Sequence, residues 1–219
     1  MEAARRTFIP AAGRQWTLPL YDPLVKLIGA ERARRTFIEQ AAISGGHRVL
    51  DVGCGTGSLE VALGRLRPSA ELVGLDPDPE ALERARRKAK CAGVGVRFDQ
   101  GFADALPYSD RSFDRVVSSF MFHHLGGDEK AGMLREARRV LKAGGSLHLL
   151  DFTGPGSGSD GPVARWVQSR RPLLDNAEDR ILTRMREAGF QNPRRIGGGR
   201  VVFGLVPYSC FVAEVRDAS

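Results

Sequence analysis

Val49-Leu50-Asp51-Val52-Gly53-Cys54-Gly55-Thr56-Gly57 runs from apolar residues into three glycines at alternate positions, and Ser58 to Leu66 follows with Leu59, Ala62, Leu63 and Leu66 at helical spacing. The reading is a short buried strand, His47 to Val52, then a bend without side chains and a helix. Missing Cβ atoms let a ligand approach the backbone, and the first turn of the helix has N–H groups without intrahelical partners. Any tight strand-to-helix turn has the same needs, so the bend alone names no ligand.

The next segment narrows the choice. Pro68 ends the helix, because the residue before a proline disfavours helical geometry, and Glu71 to Asp76 reads as a second strand. Asp76 stands nineteen positions after Gly57 at the strand's carboxyl end, where a carboxylate can accept both hydroxyls of a ribose. Bend and acid together indicate a nucleoside cofactor. The dinucleotide fingerprint G-x-G-x-x-G, counted from Gly53, puts Ser58 where its last glycine belongs, which disfavours a nicotinamide enzyme.

The alternation continues in both directions. Asp78-Pro79 is an N-cap followed by proline at the first helical position, opening a helix through Lys90 that closes near Gly93. Val94 to Asp99 reads as a third strand and Phe113 to Ser119 as a fourth. A helix with Met133, Leu134, Ala137, Val140 and Leu141 inward ends at Gly144-Gly145, and Ser146 to Asp151 is a fifth strand. Five strands alternating with helices imply a parallel sheet covered on both faces. Upstream, one helix opens at Asp22-Pro23 with Leu24, Leu27 and Ile28; another, from Glu31, turns Ala33, Phe37, Ile38 and Ala41 inward and stops in Ser44-Gly45-Gly46. Downstream, a loop over Gly154 to Gly161 and two helical stretches, Val163 to Ser169 and Asn176 to Ala188, lead to a β-rich tail. There Gly197-Gly198-Gly199 and Pro207 suit hairpin connections between Ile196, Val201 to Val206 and Tyr208 to Val215.

Composition sets outer bounds. At 219 residues and 42% hydrophobic content, the chain suits one domain with a sizeable core and excludes wholesale disorder. No stretch reaches the roughly 18 apolar residues of a membrane span; Val201 to Ala213 is short and broken by Gly204 and Pro207, and the first residues lack the apolar run of a secretory signal. The expectation is a cytoplasmic protein. Cys54, Cys91 and Cys210 are widely spaced with no CxxC, which argues for reduced thiols and against a zinc site; no metal is expected. A net charge of +7 admits nucleic acid as a partner, but the basic residues are scattered over helices, and solvated helix faces explain them better than a phosphate-tracking groove.

VLDVGCGTG (49–57) resembles motif I of the class I S-adenosylmethionine-dependent methyltransferases, and four further matches follow in order: GLDPD (74–78), GFADALPYSDRSFDRVVSS (101–119), FMFHHL (120–125) and RVLKAGGSLHLLDF (139–152). The set covers about residues 47 to 152 and is most similar to the small-molecule type that includes the ubiquinone and menaquinone biosynthesis methyltransferases. The resemblance implies an α/β fold: a Rossmann-like, doubly wound, seven-stranded mixed sheet of order 3-2-1-4-5-7-6 with strand 7 antiparallel. The tail hairpin independently agrees.

The resemblance also implies a cofactor, S-adenosylmethionine, and roles by position. Gly53 and Gly55, within the motif that includes Cys54 and Gly57, would lie against its methionine part, with Asp51 near the amino group. Asp76 would hold the ribose and Pro77 pack on the adenine. Ser118, at the end of strand four, joins this set. The adenine loop departs from the family's common G-D-A-E: here it reads Gly101-Phe102-Ala103-Asp104. Phe102 removes the usual acceptor for the adenine amino group, Ala103 still offers its N–H, and Asp104 would face the same side in an extended segment.

Methyl transfer from a sulfonium is an in-line displacement of an activated donor, so alignment of the reactants dominates. His123 is the candidate base, at the mouth of the cleft after strand four; a structural or cofactor-edge histidine is the alternative, since a carbon or neutral amine acceptor makes different demands on a base. His148 reads as packed in the sheet and His47 as exposed. Residues 1–46 form an N-terminal helical segment and candidate lid, in which Trp16 and Tyr21 either face the cofactor or pack on the sheet. In similar methyltransferases an N-terminal tyrosine near the cofactor carboxylate is frequent, which favours Tyr21. Residues 47–219 form the core, with 154–174, including Trp166 and Arg170-Arg171, as a substrate-side insertion. The acceptor is a small molecule of apolar or lipid-like character; its atom and the oligomeric state stay open. A nucleic-acid methyltransferase is the alternative, although Ser119-Phe120-Met121-Phe122 occupies the place of the Asn/Asp-Pro-Pro-aromatic tetrad of amino-directed base methylases. A noncatalytic cofactor-binding protein is a further one.

Overall fold

The computed structural model describes residues 30–153, 175–201 and 206–216. The helix at Asp22, Trp16 and Tyr21, and the insertion with Trp166 and Arg170-Arg171 lie outside the described residues. The elements, in order, are α1 (Ala30–Gln40), β1 (Arg48–Val52), α2 (Ser58–Leu66), β2 (Glu71–Asp76), α3 (Pro79–Ala92), β3 (Arg97–Gln100), β4 (Phe113–Ser119), α4 (Gly127–Val140), β5 (Leu141–Phe152), α5 (Glu178–Glu187), β6 (Gln191–Val201) and β7 (Val206–Glu214). They form one seven-stranded sheet of order β3-β2-β1-β4-β5-β7-β6. Strands β1 to β5 pair in parallel, and β7 runs antiparallel to both β5 and β6.

Alternation along the strands sends neighbouring residues to opposite faces. Leu50, Val116, Leu147 and Leu149 join Met133, Leu134 and Ala137 of α4 and Ile181 and Met185 of α5. Val49, Val117 and Leu150 meet Phe37 and Ile38 of α1 and Leu59 and Leu63 of α2 on the other face. Leu82, Ala85 and Ala89 of α3 close over Phe98 and Cys54.

Local chemistry places the helices. Asp78 caps α3, accepting from the N–H groups of Glu80 and Ala81, and Gly93 ends it at φ 65°. Gly57 caps α2 at φ 74°, and a Cβ there would lie 2.9 Å from that of Ala85. The close helix packing that the dinucleotide fingerprint assigns to its last glycine therefore falls to Gly57.

Three boundaries differ from the sequence reading. β3 begins at Arg97, three residues later than Val94. β5 begins at Leu141, directly after α4, and takes in Gly144-Gly145: Leu141 already pairs with Phe113, with a register shift before Arg115 meets Ser146. Gly197 to Gly199 lie inside β6 rather than in a turn, opposite Cys210 to Tyr208, and Pro207 lies inside β7. The glycines are needed because a Cβ on Gly199 would run into the Tyr208 ring, 2.8 Å from its hydroxyl.

Candidate functional site

The bend after β1 is pinned to the end of β2. The N–H groups of Gly53 and Cys54 both donate to the Leu75 carbonyl, at 2.8 and 3.0 Å. Gly53, Gly55 and Gly57 all have positive φ, at 78°, 53° and 74°, a region side chains disfavour. The Gly55 N–H donates to one oxygen of Asp76 at 2.8 Å, and the Asp78 N–H donates to the other at 3.0 Å. Burial pushes the Asp76 carboxyl up to about 6, and these two donors hold it from rising further. The acid is thus fixed by backbone with lone pairs left over.

Beside the bend opens a cavity of about 630 Å³. Gly53, Cys54, Gly55, Asp76 and Pro77 line one side, with Phe102, Ala103 and Asp104 next to them. Gly55 is open to it: a Cβ there would meet nothing within 4 Å, whereas one on Gly53 would collide with the Met121 side chain. Residues 102–105 make a tight turn, the Ala105 N–H donating to the Phe102 carbonyl at 3.2 Å, so the extended segment expected there is absent; Asp104 nevertheless reaches the cavity. Gly132 of α4 makes room for it, since a Cβ there would lie 2.7 Å from that of Asp104.

Three of the sequence-selected positions stand outside the lining. Gly57 packs on α3. Ser118 is fully buried, its hydroxyl donating to the Val52 carbonyl at 2.8 Å, and its neighbour Ser119 lines the cavity instead. Asp51 is buried beneath the bend, beside the equally buried carboxyl of Glu60. Among the described residues no hydrogen-bond partner reaches the oxygens of either acid. Burial raises both above the ordinary carboxylate range, Glu60 to about 7, and the charge of Glu60 raises Asp51 further. The sequence reading missed Glu60; its signal is Gly74 in mid-strand, where a Cβ would lie 2.6 Å from a Glu60 oxygen. It also missed Arg34 of α1, which lines the cavity with its guanidinium carbon 5.9 Å from the centre of the Phe120 ring; its buried Nε has no acceptor among the described residues.

The opposite side of the cavity is built from β4, β5 and α4. Phe120 leaves β4 at φ 54°, a strained value for a side chain of this size, and its ring meets those of Phe152 at 4.7 Å and Tyr208 at 6.3 Å. A single helical turn, Phe122–His124, then brings His123 over the end of β5. Asp151, fully buried, accepts from the His123 N–H at 2.8 Å and lies 2.6 Å from His123 Nδ1. That fixes the ring and leaves Nε2 as the nitrogen for other partners. His124 stacks against His123 with ring centres 4.0 Å apart. Burial, then His123, pushes His124 down to about 4, so it is neutral at neutral pH. His148 is buried in β5 beside Ser146, and burial pushes it down to about 3. His47 is half-buried just before β1, its Nδ1 accepting from the Ser44 N–H. Lys130, 1% exposed, also lines this side, with Nζ 5.4 Å from the Phe122 ring centre and 3.3 Å from Asp175.

Known proteins resemble the chain in sequence and in shape. A family described as "Methyltransferase domain" matches residues 49–145. Demethylmenaquinone methyltransferase of Thermus thermophilus is 43% identical over 160 residues, covering 71% of this chain and 72% of its own length. The enzyme of the same name from Deinococcus radiodurans is 41% identical over 150 residues, covering 67% and 61%. Among solved structures, the YcgJ protein of Bacillus subtilis superposes with a TM-score of 0.72 at 21% identity, covering 86% of this chain and 100% of that one. The [4+2]-cyclase SpnF does so at 0.71 and 21% identity, covering 86% and 82%. At that identity the likeness shows the fold alone, and a cyclase among the neighbours shows that the fold does not by itself specify methyl transfer.

Proposed function

The chain belongs to the S-adenosylmethionine-dependent methyltransferases, and on that premise we propose that its acceptor is the hydroxylated aromatic ring of a quinol-type molecule, methylated at a ring carbon. The observation that carries this reading is the His123–Asp151 pair, set among Phe120, Phe152 and His124 across the cavity from the glycine bend. The names of the two similar enzymes point the same way.

The residues present fit the donor. Gly55 leaves a space that a Cβ would occupy, Asp76 has acceptor capacity beyond its two backbone donors, and the buried Nε of Arg34 lacks an acceptor among the described residues. Asp76 would hold the ribose hydroxyls; Pro77, Phe102, Ala103 and Asp104 would surround the adenine; Gly53, Cys54 and Gly55 would face the methionine part. Asp51, buried away from the lining, would support the bend from beneath. When bound, S-adenosylmethionine supplies a methyl carbon on a cationic sulfur, and transfer forms a carbon–carbon bond, breaks a carbon–sulfur bond and leaves a neutral thioether.

The chain's own part is alignment and proton handling. His123 Nε2 accepts the proton of the ring hydroxyl, while Asp151 holds Nδ1–H and stabilises the resulting imidazolium. The negative charge left on oxygen spreads to the adjacent ring carbon, which becomes the nucleophile. After transfer that carbon gives up its hydrogen as a proton and the ring regains its hydroxyl, so one proton is released overall. The aromatic wall excludes water from the reacting atoms.

Among the described residues no helix is long and apolar enough to cross a membrane. Cys54, Cys91 and Cys210 are free thiols, which supports a cytoplasmic placement. The nucleic-acid alternative has less support, since Arg35, Arg87 and Arg139 pair with acids on their own helices.

The test is turnover of a reduced naphthoquinol by the purified chain with S-adenosylmethionine, followed by mass spectrometry of the product. A ring-methylated quinol is expected, and His123→Asn should lower kcat by about 10²–10⁴-fold at unchanged S-adenosylhomocysteine affinity. Methylation on oxygen only, or no methylation of hydroxylated rings, would refute the proposal.

A further inference from the structure

We infer that Lys130 recognises the acceptor's ionised oxygen, which makes an acidic ring hydroxyl a requirement for substrates. The inference rests on the methyltransferase reading and extends it to the chemistry selected on the acceptor side. Lys130 lies on the buried stripe of α4, seven residues before Ala137, where an apolar side chain would serve packing better. Its ammonium sits above Phe122, next in sequence to His123, and its side chain lines the cavity that His123 and His124 share.

Among the described residues its polar partner is Asp175, at 3.3 Å. That carboxylate is already engaged: Arg184 reaches both its oxygens at 3.1 Å and Arg180 reaches one at 3.3 Å. One carboxylate thus faces three cations, and Lys130 is the most buried of them. Among the described residues the desolvation of its ammonium is answered by a single long contact, with two N–H donors to spare. Burial accordingly lowers its affinity for a proton, against the pull of Asp175 and the more distant Asp151. A structural tie between α4 and the turn before α5 needs no lysine here, because Arg184 supplies one, donating to the Gly127 carbonyl at 3.3 Å as well as to Asp175. An oxyanion entering from the cavity completes the site: it gains a desolvated cation as His123 removes its proton, and such charge-assisted bonds are the strong ones.

The probe is 4-nitro-1-naphthol, whose phenolate absorbs in the visible. It is added to the protein saturated with S-adenosylhomocysteine, at a pH below the probe's own ionisation. The wild type should bind it as the phenolate. Lys130→Met should weaken binding about 10- to 100-fold and lose the phenolate band, while Lys130→Arg retains part of both. Asp175→Asn separates recognition from structure: removing the competing carboxylate should tighten phenolate binding, whereas a structural tie would make it as damaging as Lys130→Met. Equal bands and affinities in wild type and Lys130→Met, or no phenolate band in the wild type, would overturn the inference and leave the methyltransferase reading intact. Failure of the wild type to bind S-adenosylhomocysteine would bring down both.

Discussion

On the donor side of the cavity, Gly53, Gly55 and Asp76 work through the backbone: positive φ values, absent Cβ atoms, and a carboxylate held by two N–H groups. On the proposed acceptor side the groups are side chains brought from separate elements, with His123 after β4, Asp151 at the end of β5, Lys130 on α4 and Asp175 before α5. The first side spans fewer than thirty consecutive residues and is set by local conformation. The second exists only once β4, β5 and α4 have packed. The donor half can therefore stay the same while acceptor chemistry changes, because replacing an acceptor-side side chain leaves the bend untouched.

The largest expected effect falls on the donor side. Asp76→Ala removes the proposed ribose acceptor and also orphans the N–H groups of Gly55 and Asp78. S-adenosylhomocysteine affinity measured by calorimetry should fall by about 100-fold or more, since each bond to a charged group contributes roughly 1.5–3 kcal/mol. Full retention would break the comparison at its root.

A smaller effect separates two glycines of the same bend. Gly57→Ala carries the cost of φ 74° and an overpacked contact with Ala85, together roughly 2–5 kcal/mol of stability in denaturant melts. Gly55→Ala, at φ 53° with open space around it, should cost only about 1–2 kcal/mol in stability while obstructing the cofactor. Equal destabilisation with equal loss of binding would erase the division between packing and ligand approach within the bend.

That division also explains what the sequence disclosed. The cap at Asp78-Pro79, the bend and Asp76 act within a few residues of themselves, so they can be read in one dimension. The start of β5 and the place of Gly197 to Gly199 depend on partners far along the chain, Phe113 and Tyr208, and local glycine chemistry misled there. The adenine-side turn hid its hydrogen bond between Phe102 and Ala105 in the same way. The acceptor-side residues did leave traces. Asp151 ends β5 as Asp76 ends β2, and Lys130 interrupts an apolar stripe; Arg34, on the face of α1 near the cavity, left none.

The smallest effect is a matter of sign. Burial raises Asp76 to about 6, so the folded chain binds more protons there than the unfolded one between about pH 4 and 6, and stability falls as pH rises through that window. Burial lowers His124 to about 4 and His148 to about 3, so the unfolded chain binds more protons at these sites, and their contribution rises with pH up to the ordinary histidine range. The two tendencies oppose each other across pH 4.5–6, where the buried Asp51 and Glu60, both raised, add to the falling side. Asp76→Asn should make the slope of stability against pH more positive and His124→Gln should make it more negative, each by roughly 1 kcal/mol per pH unit in denaturant melts. Cofactor affinity should meanwhile rise with pH through about 6 as Asp76 ionises, opposite to its effect on stability. A donor-side acid that destabilises the empty fold and tightens the filled one is tuned for binding. If Asp76→Asn changed the slope of neither curve, the carboxyl would be an ordinary exposed acid and the contrast between the two sides would lose its electrostatic half.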